Sequence, residues 1–454
     1  MNIKSVNPFT EEVIAIYELH TENEIEKIIT QINSDWKTWK ITGFPERKQL
    51  MLNLAEILKK RKTTLAEIIT SEMGKPLMQS EAEILKCAWV CEYYAENAEK
   101  FLSVETIETD ASDSYVRFDP LGIILAVMPW NFPFWQVFRF AAPAIMAGNA
   151  AVLKHASNVP GCALAIEKLF RDAGFPGNIF RTLLINSTEV ERVIENPMVK
   201  AVTLTGSEPA GRKVAEICGK NLKKCVLELG GSDPFIVLSD ADIADAVNSA
   251  VTGRILNNGQ SCIAAKRFII EKPVADIFIR EFSAKMENLS VGDPMKRETD
   301  IGPLARKDLV EELNFQIESS IKMGAVKSTR EIALPEKGFF FSPSVLTNLT
   351  PEMPACSQEL FGPVASVIVA ENREEALKFA NATEFGLGAS IWTSYKINAE
   401  KLLPFIDSGA VFVNGIVKSD PRLPFGGVKN SGFGRELSVQ GIREFVNIKT
   451  IWIK

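Results

Sequence analysis

A thiol, a carboxylate and an amide stand at three separate places in the chain, and together they could run acyl-transfer chemistry. Cys262 closes the polar loop Asn257-Asn258-Gly259-Gln260-Ser261-Cys262, between a predicted helix and a predicted strand. A loop thiol held by rigid elements is well placed to meet a ligand, and as a thiolate it attacks carbonyl carbon. Taken alone it is one of seven cysteines, and a small buried hydrophobe is the ordinary alternative. Glu228 ends the strand-like run Cys225-Val226-Leu227-Glu228 and is followed by Leu229-Gly230-Gly231. That places a carboxylate at the carboxyl edge of a sheet, where ligands bind, although position does not separate a general base from a solvated strand end. Asn131, in Pro129-Trp130-Asn131-Phe132-Pro133, follows another strand. Its amide could donate to a developing oxyanion, or merely shape an Asx-type turn.

Two further segments suggest binding. Thr205-Gly206-Ser207-Glu208-Pro209-Ala210-Gly211 follows a strand and opens a helix, so its N–H groups and the helix dipole could receive a pyrophosphate. Arg139 lies in the aromatic run Phe134-Trp135-Gln136-Val137-Phe138-Arg139-Phe140, where an unpaired guanidinium would be costly and calls for an anion. Trp135 and Arg139 are four apart on one helical face and could line one pocket. The competing reading is an arginine paired to an internal carboxylate.

The elements that must position these groups can be read from periodicity. Apolar runs at Ile123–Val127, Ala150–Lys154, Phe180–Ile185, Ala201–Thr205 and Cys225–Leu229 alternate with helical segments, which predicts a parallel sheet covered on both faces. The pattern restarts after Gly230-Gly231 with a strand Pro234–Leu238, a helix Ile243–Ile255 and a strand Arg267–Ile270, predicting a second α/β domain. Before them, helices are expected over Glu46–Met73, stopped at Gly74-Lys75-Pro76, and over Ser80–Lys100. The half-apolar segment Arg443–Lys454 reads as a terminal strand, for which pairing across a subunit boundary is favoured over an edge of its own chain's sheet.

Bulk properties narrow the class. The 454 residues are 46% hydrophobic, enough for two or more cored domains. A net charge of −6 without basic blocks argues against nucleic-acid or anionic-membrane partners and for a small molecule. No apolar stretch approaches a bilayer span and the start lacks a signal-peptide core, so a reducing cytosol is expected. The cysteines are odd in number and irregular in spacing, which fits neither a disulfide scaffold nor a metal site, including at Cys87 and Cys91.

Seven blocks in order over nearly the whole chain resemble the aldehyde dehydrogenase superfamily: Pro-Trp-Asn131-Phe-Pro, Lys154 after its strand, Gly206–Gly211, Leu-Glu228-Leu-Gly-Gly-Ser, Gly-Gln-Ser-Cys262, Glu359-Leu360-Phe361-Gly362-Pro363 and Pro424-Phe425-Gly426-Gly427-Val428-Lys429. The resemblance implies a doubly wound cofactor domain from residues 1–112 and 123–229, an oligomerisation arm at 113–122, a catalytic α/β domain at 230–425, and a linker with an oligomerisation strand at 426–454, in a homo-oligomer. It makes Cys262 the nucleophile, Asn131 and the Cys262 N–H the oxyanion hole, and Glu228 the activator of the deacylating water. Lys154 and Glu359 would hold cofactor ribose hydroxyls. Phe361 would lie beside the nicotinamide, with Trp130, Gly206, Ser207, Gly211 and Leu229 lining the same site. No metal is implied. A non-enzymatic structural protein of the same fold, or an acylating enzyme using coenzyme A, would be expected to have lost Cys262 or Glu228.

Within the superfamily, the helix bearing Arg139, the segment Lys154-His155-Ala156-Ser157-Asn158 and Ser419 resemble the short succinate-semialdehyde dehydrogenases. That resemblance gives Arg139, assisted by Trp135, Ser261 and Ser419, the distal carboxylate of the substrate. Glutarate semialdehyde and broad-range aliphatic aldehydes remain alternatives, since one methylene is worth only about 1–3 kcal/mol. Two departures matter. Phe140 stands where many relatives carry lysine, and Ser157 where many NAD-preferring relatives carry an acid for the adenosine 2′-hydroxyl. Lys154 and Ser157 could instead meet a 2′-phosphate, which favours NADP over NAD.

Overall fold

The computed structural model describes residues 2–454. Two parallel sheets dominate it. The first runs in the order Gly432–Phe433, Lys224–Glu228, Val199–Thr205, Ile123–Met128, Ala150–His155, Phe180–Thr182, and is parallel except for its short first strand. Because Ile123–Met128 is central and the chain winds first to one side and then to the other, the winding direction reverses between it and Val199–Thr205. Ligands bind at such a switch point, outside the carboxyl ends of the strands. The strand at Gly432–Phe433 belongs to this sheet, although residues 426–454 were expected to form only a linker and an oligomerisation strand.

The second sheet has seven strands, in the order Val326–Lys327, Ser344–Thr347, Val364–Ala370, Ala265–Glu271, Asp233–Val237, Gly388–Trp392, Ala410–Val413; only the first edge strand is antiparallel. Its central strands are buried end to end, as the near-continuous apolar runs of a sheet covered on both faces require. Among the described residues no helix is long and apolar enough to cross a membrane, and all seven cysteines are free thiols.

The helix that carries Trp135 and Arg139, Trp135–Met146, is buried on every face. Its N-terminal N–H groups therefore have no water to turn to. Glu83, from the neighbouring helix Leu77–Phe101, accepts from Phe134 N at 2.8 Å and Trp135 N at 2.9 Å. Its charge is matched by buried Lys75, which also lies 3.9 Å above the Phe132 ring. Asn131 just before this helix and Arg139 within it are thus placed by a start that a neutralised internal carboxylate fixes.

The tail strand Val446–Ile453 pairs antiparallel along its whole length with the arm Asp113–Pro120 of the same chain. Within the chain, then, the arm is its partner, where pairing across a subunit boundary was favoured from sequence. Its other edge is open, and Ile448, Trp452 and Ile453 are exposed.

Candidate active site

The carboxyl ends of the first sheet and the nucleophile loop of the second sheet's domain enclose a cavity of about 710 Å³. Trp130 and Asn131 reach it from the end of Ile123–Met128, Thr205, Gly206 and Ser207 from the end of Val199–Thr205, and Leu229 and Gly230 from the end of Lys224–Glu228. Cys262, Glu359 and Phe361 close the opposite wall. Residues more than 200 positions apart meet here because successive parallel strands deliver their ends to one edge.

The loop before Cys262 is held in a sparsely populated backbone conformation. Asn257 and Asn258 have φ of 58° and 56° and Gly259 of 75°, values tolerated by asparagine and free for glycine. A Cβ at Gly259 would stand 2.3 Å from the Gly362 carbonyl oxygen, so the loop also needs glycine for its close approach. Side-chain amides fix the rest. Asn258 Nδ2 donates to Gly74 O at 3.0 Å and Pro303 O at 2.9 Å, and Gln260 Oε1 accepts from Ala305 N at 2.9 Å. Buried Lys266 donates to the carbonyls of Ser261 at 2.9 Å and Cys262 at 2.8 Å. The thiol itself is pushed up to about 12 by burial, against the pull of Lys266 and Arg139. It rests protonated.

Asn131 is oriented by two neighbours. Gln136 Nε2 donates to Asn131 Oδ1 at 3.1 Å, and Asn131 Nδ2 donates to Gln260 O at 3.0 Å. With the oxygen occupied and one N–H given to Gln260 O, the amide keeps one N–H to donate, in the cavity that Cys262 also lines. Glu228 is different: its carboxyl is buried, has no hydrogen-bond partner among the described residues, and is raised well above the usual carboxylate range by burial and by Glu436. It is not on the cavity wall, so it must swing outward to act on a group bound at Cys262.

A dinucleotide fits this edge on three counts. Ser207 heads the helix Glu208–Lys220 without capping it through its side chain, which leaves N–H groups for a phosphate. Gly211 lets that helix pack onto Leu229, since a Cβ there would lie 2.6 Å from the leucine methyls. Glu359 accepts from Lys266 at 3.0 Å and Gly231 N at 3.1 Å and is fixed facing the cavity, where Phe361 meets Trp130 edge-on with centroids 5.8 Å apart. Lys154 is half-buried at the end of its strand and lowered by that burial, and Ser157 is exposed in the following turn; both lie outside the enclosed cavity.

The family model for the aldehyde dehydrogenase family matches residues 1–451. The chain belongs to the aldehyde dehydrogenase family. It is 49% identical over 453 residues to a probable succinate-semialdehyde dehydrogenase (NADP+) of Synechocystis sp., covering 100% of both chains. It is 48% identical over 456 residues, again covering 100% of both, to succinate-semialdehyde dehydrogenase (NADP+) 1 of Mycobacterium bovis. Among solved structures, succinic semialdehyde dehydrogenase from Streptococcus pyogenes in complex with NADP+ superposes with a TM-score of 0.97 at 37% identity, over 99% of each chain.

In this aldehyde dehydrogenase one expected site residue is engaged elsewhere. Arg139 is 2% exposed, forms an ion pair with buried Glu436, reaches Thr205 Oγ1 at 3.3 Å and lies over the Phe425 ring. Of the two anions left open for Arg139 by the sequence, a substrate carboxylate and an internal one, the structure supplies the internal one, Glu436. Phe140 packs edge-on against Phe445. Ser261 is fully buried with its hydroxyl unpartnered, beside the nucleophile. Trp135 and Ser419 do meet, Trp135 Nε1 donating to Ser419 Oγ at 3.0 Å. Lys266, Gln136, Glu436 and Lys86 escaped the sequence reading. Lys266, four positions after Cys262, is the one whose spacing from the nucleophile offered a signal.

Proposed function

We propose that the chain oxidises succinate semialdehyde to succinate with NADP. The carrying observation is that Cys262, the oriented Asn131 amide and the fixed Glu359 line one cavity, in a chain whose full-length relatives bear that name. Cys262 gives its proton to water in the cavity as its sulfur attacks the aldehyde carbon, and the alkoxide of the resulting thiohemiacetal is received by Asn131 Nδ2 and the Cys262 N–H. When bound, NADP would supply the acceptor for the hydride. The acyl group then remains on Cys262 as a thioester, and Glu228, rotated from its buried position, removes a proton from the hydrolytic water. Glu359 and Lys154 would hold ribose hydroxyls, Ser207 and the N–H groups behind it the pyrophosphate, and Ser157 with Lys154 the 2′-phosphate. Trp135, Ser261 and Ser419 shape the substrate end, behind which Arg139 is held by Glu436. We further infer a cytosolic homo-oligomer, supported by the open edge of Val446–Ile453.

The test is a panel of succinate semialdehyde, glutarate semialdehyde and butanal, each with NADP and NAD. The expected result is a preference for succinate semialdehyde over butanal of about two orders of magnitude in kcat/KM, the 2–5 kcal/mol range of a buried charge pair, with NADP the better cofactor. Equal efficiency on butanal would remove the substrate assignment and leave the family chemistry standing.

A further inference from the structure

Trp135 and Ser419 converge on a third residue, Lys86, from the helix Leu77–Phe101. Its ammonium donates to Ser419 Oγ at 2.8 Å and lies 4.1 Å above the Trp135 ring. Ser419 Oγ thus accepts from both Lys86 and Trp135, which leaves the hydroxyl proton free to be donated. The two acids whose charge acts most on Lys86 are Glu83 and Asp420. Both are committed: Glu83 to Lys75 and the helix N–H groups, Asp420 to Arg422. Among the described residues Lys86 has no ion-pair partner, and Arg139 adds a second positive charge nearby. Burial and that neighbour pull the ammonium down to about 8. Such a cation, short of counter-charge beside a hydroxyl with a proton to give, is an anion site waiting for its anion. Gln136, next after Trp135 on the same helix, lines the cavity with Cys262.

We propose that Lys86 Nζ and the Ser419 hydroxyl bind the distal carboxylate of the substrate, with the Arg139–Glu436 pair behind them. This rests on the reading that the substrate is an ω-oxo acid, and it makes Lys86 a specificity-determining residue. One carboxylate oxygen takes the ammonium and the other the hydroxyl proton, while the lysine stem keeps its place against Trp135.

The experiment compares wild type, Lys86→Met and Ser419→Ala in two measurements. The first is the ratio of kcat/KM for succinate semialdehyde to that for butanal. The second is competitive inhibition of butanal oxidation by succinate, which probes the anion site whether or not the semialdehyde is preferred. Lys86→Met is expected to lower the ratio at least about tenfold, chiefly through KM, and to weaken succinate by a similar factor, with Ser419→Ala moving both less in the same direction. A merely structural lysine would depress both aldehydes together and leave the ratio where it was. An unchanged ratio with unchanged succinate inhibition overturns the proposal, and if Lys86→Met does not fold, Ser419→Ala alone decides it by the same criterion. Failure of the substrate reading looks different: wild type then handles butanal as well as the semialdehyde, and a variant that still weakens succinate keeps the anion site while one that does not removes it.

Discussion

Two carboxylates stand close to this cavity in opposite states. Glu359 faces it, held by the Lys266 ammonium at 3.0 Å and the Gly231 N–H at 3.1 Å. Glu228 lies just behind the wall with neither oxygen satisfied, beside the carboxyl of Glu436, and is driven toward its protonated form by burial and that neighbour. A carboxylate that must hold a hydroxyl in one place profits from fixed donors, which keep it charged and still. One that must take up and release a proton profits from having none, because its affinity for the proton is then high and its rotation costs few contacts. The difference teaches that one residue type, in two surroundings at one cavity, is left either charged and still or proton-hungry and unheld.

The sharpest way to break this comparison is to remove the ionisable group on the mobile side. Glu228→Gln is expected to slow steady-state turnover by about 10²–10⁴-fold, the usual span of general-base catalysis. It should leave a first-turnover burst of reduced cofactor and an acyl adduct on Cys262 visible by mass spectrometry. Normal turnover without accumulated adduct would deny Glu228 the hydrolytic step. The pH profile carries the same information. A base whose proton affinity is raised loses its active form at a higher pH than an ordinary carboxylate, so hydrolysis of the thioester should fall as pH decreases through a value above the usual carboxylate range. A fall confined to about pH 4, the ordinary carboxylate value, would mean that Glu228 works from an exposed position throughout.

On the fixed side the effect is smaller and of another kind. Glu359→Gln keeps the shape and removes the charge that Lys266 holds, at a cost of about 1.5–3 kcal/mol for a charge-assisted hydrogen bond. Cofactor KM should rise about ten- to a hundredfold with the burst lost in proportion, and no acyl adduct should build up. An accumulated thioester in this variant would blur the division between the two carboxylates.

Much of this arrangement was legible in the sequence, and the illegible part has a common cause. The helix Ile243–Ile255 has the bounds read from its sequence, and Asp242 caps it by accepting from Asp245 N. Asn131, Gly206 and Cys262 were found because each follows a recognisable element end, and a parallel sheet brings such ends together; Trp130 and Leu229 came from the family resemblance. Lys86 and Ser419 are 333 positions apart, and neither the helical pattern around Lys86 nor its charge distinguishes it from a solvated surface lysine. Arg139 showed the reverse. Its need for an anion was evident, but whether Glu436 or a ligand supplied it was a matter of long-range packing. The terminal strand likewise announced itself as a strand, while the identity of its partner lay some 330 residues back in Asp113–Pro120.

Ser157 extends the comparison to a position that is neither fixed nor buried. It is exposed in the turn after Ala150–His155, and Lys154 before it forms no ion pair among the described residues. An acid here would repel a 2′-phosphate and accept from a 2′-hydroxyl, so Ser157→Glu should shift preference from NADP toward NAD. Exposure limits the size of the effect. Solvent-screened charge interactions are worth up to about 1 kcal/mol, so the ratio of kcat/KM for the two cofactors should move by about fivefold, far less than removal of either cavity carboxylate. The change should appear in KM, because the residue lies outside the enclosed cavity and away from Cys262. A wild type that already favours NAD, with a ratio unmoved by the substitution, would show that the 2′ position is read elsewhere. A shift in the predicted direction that shrinks as salt is raised would identify it as the screened, exposed end of a site whose other end is held by buried, fixed groups.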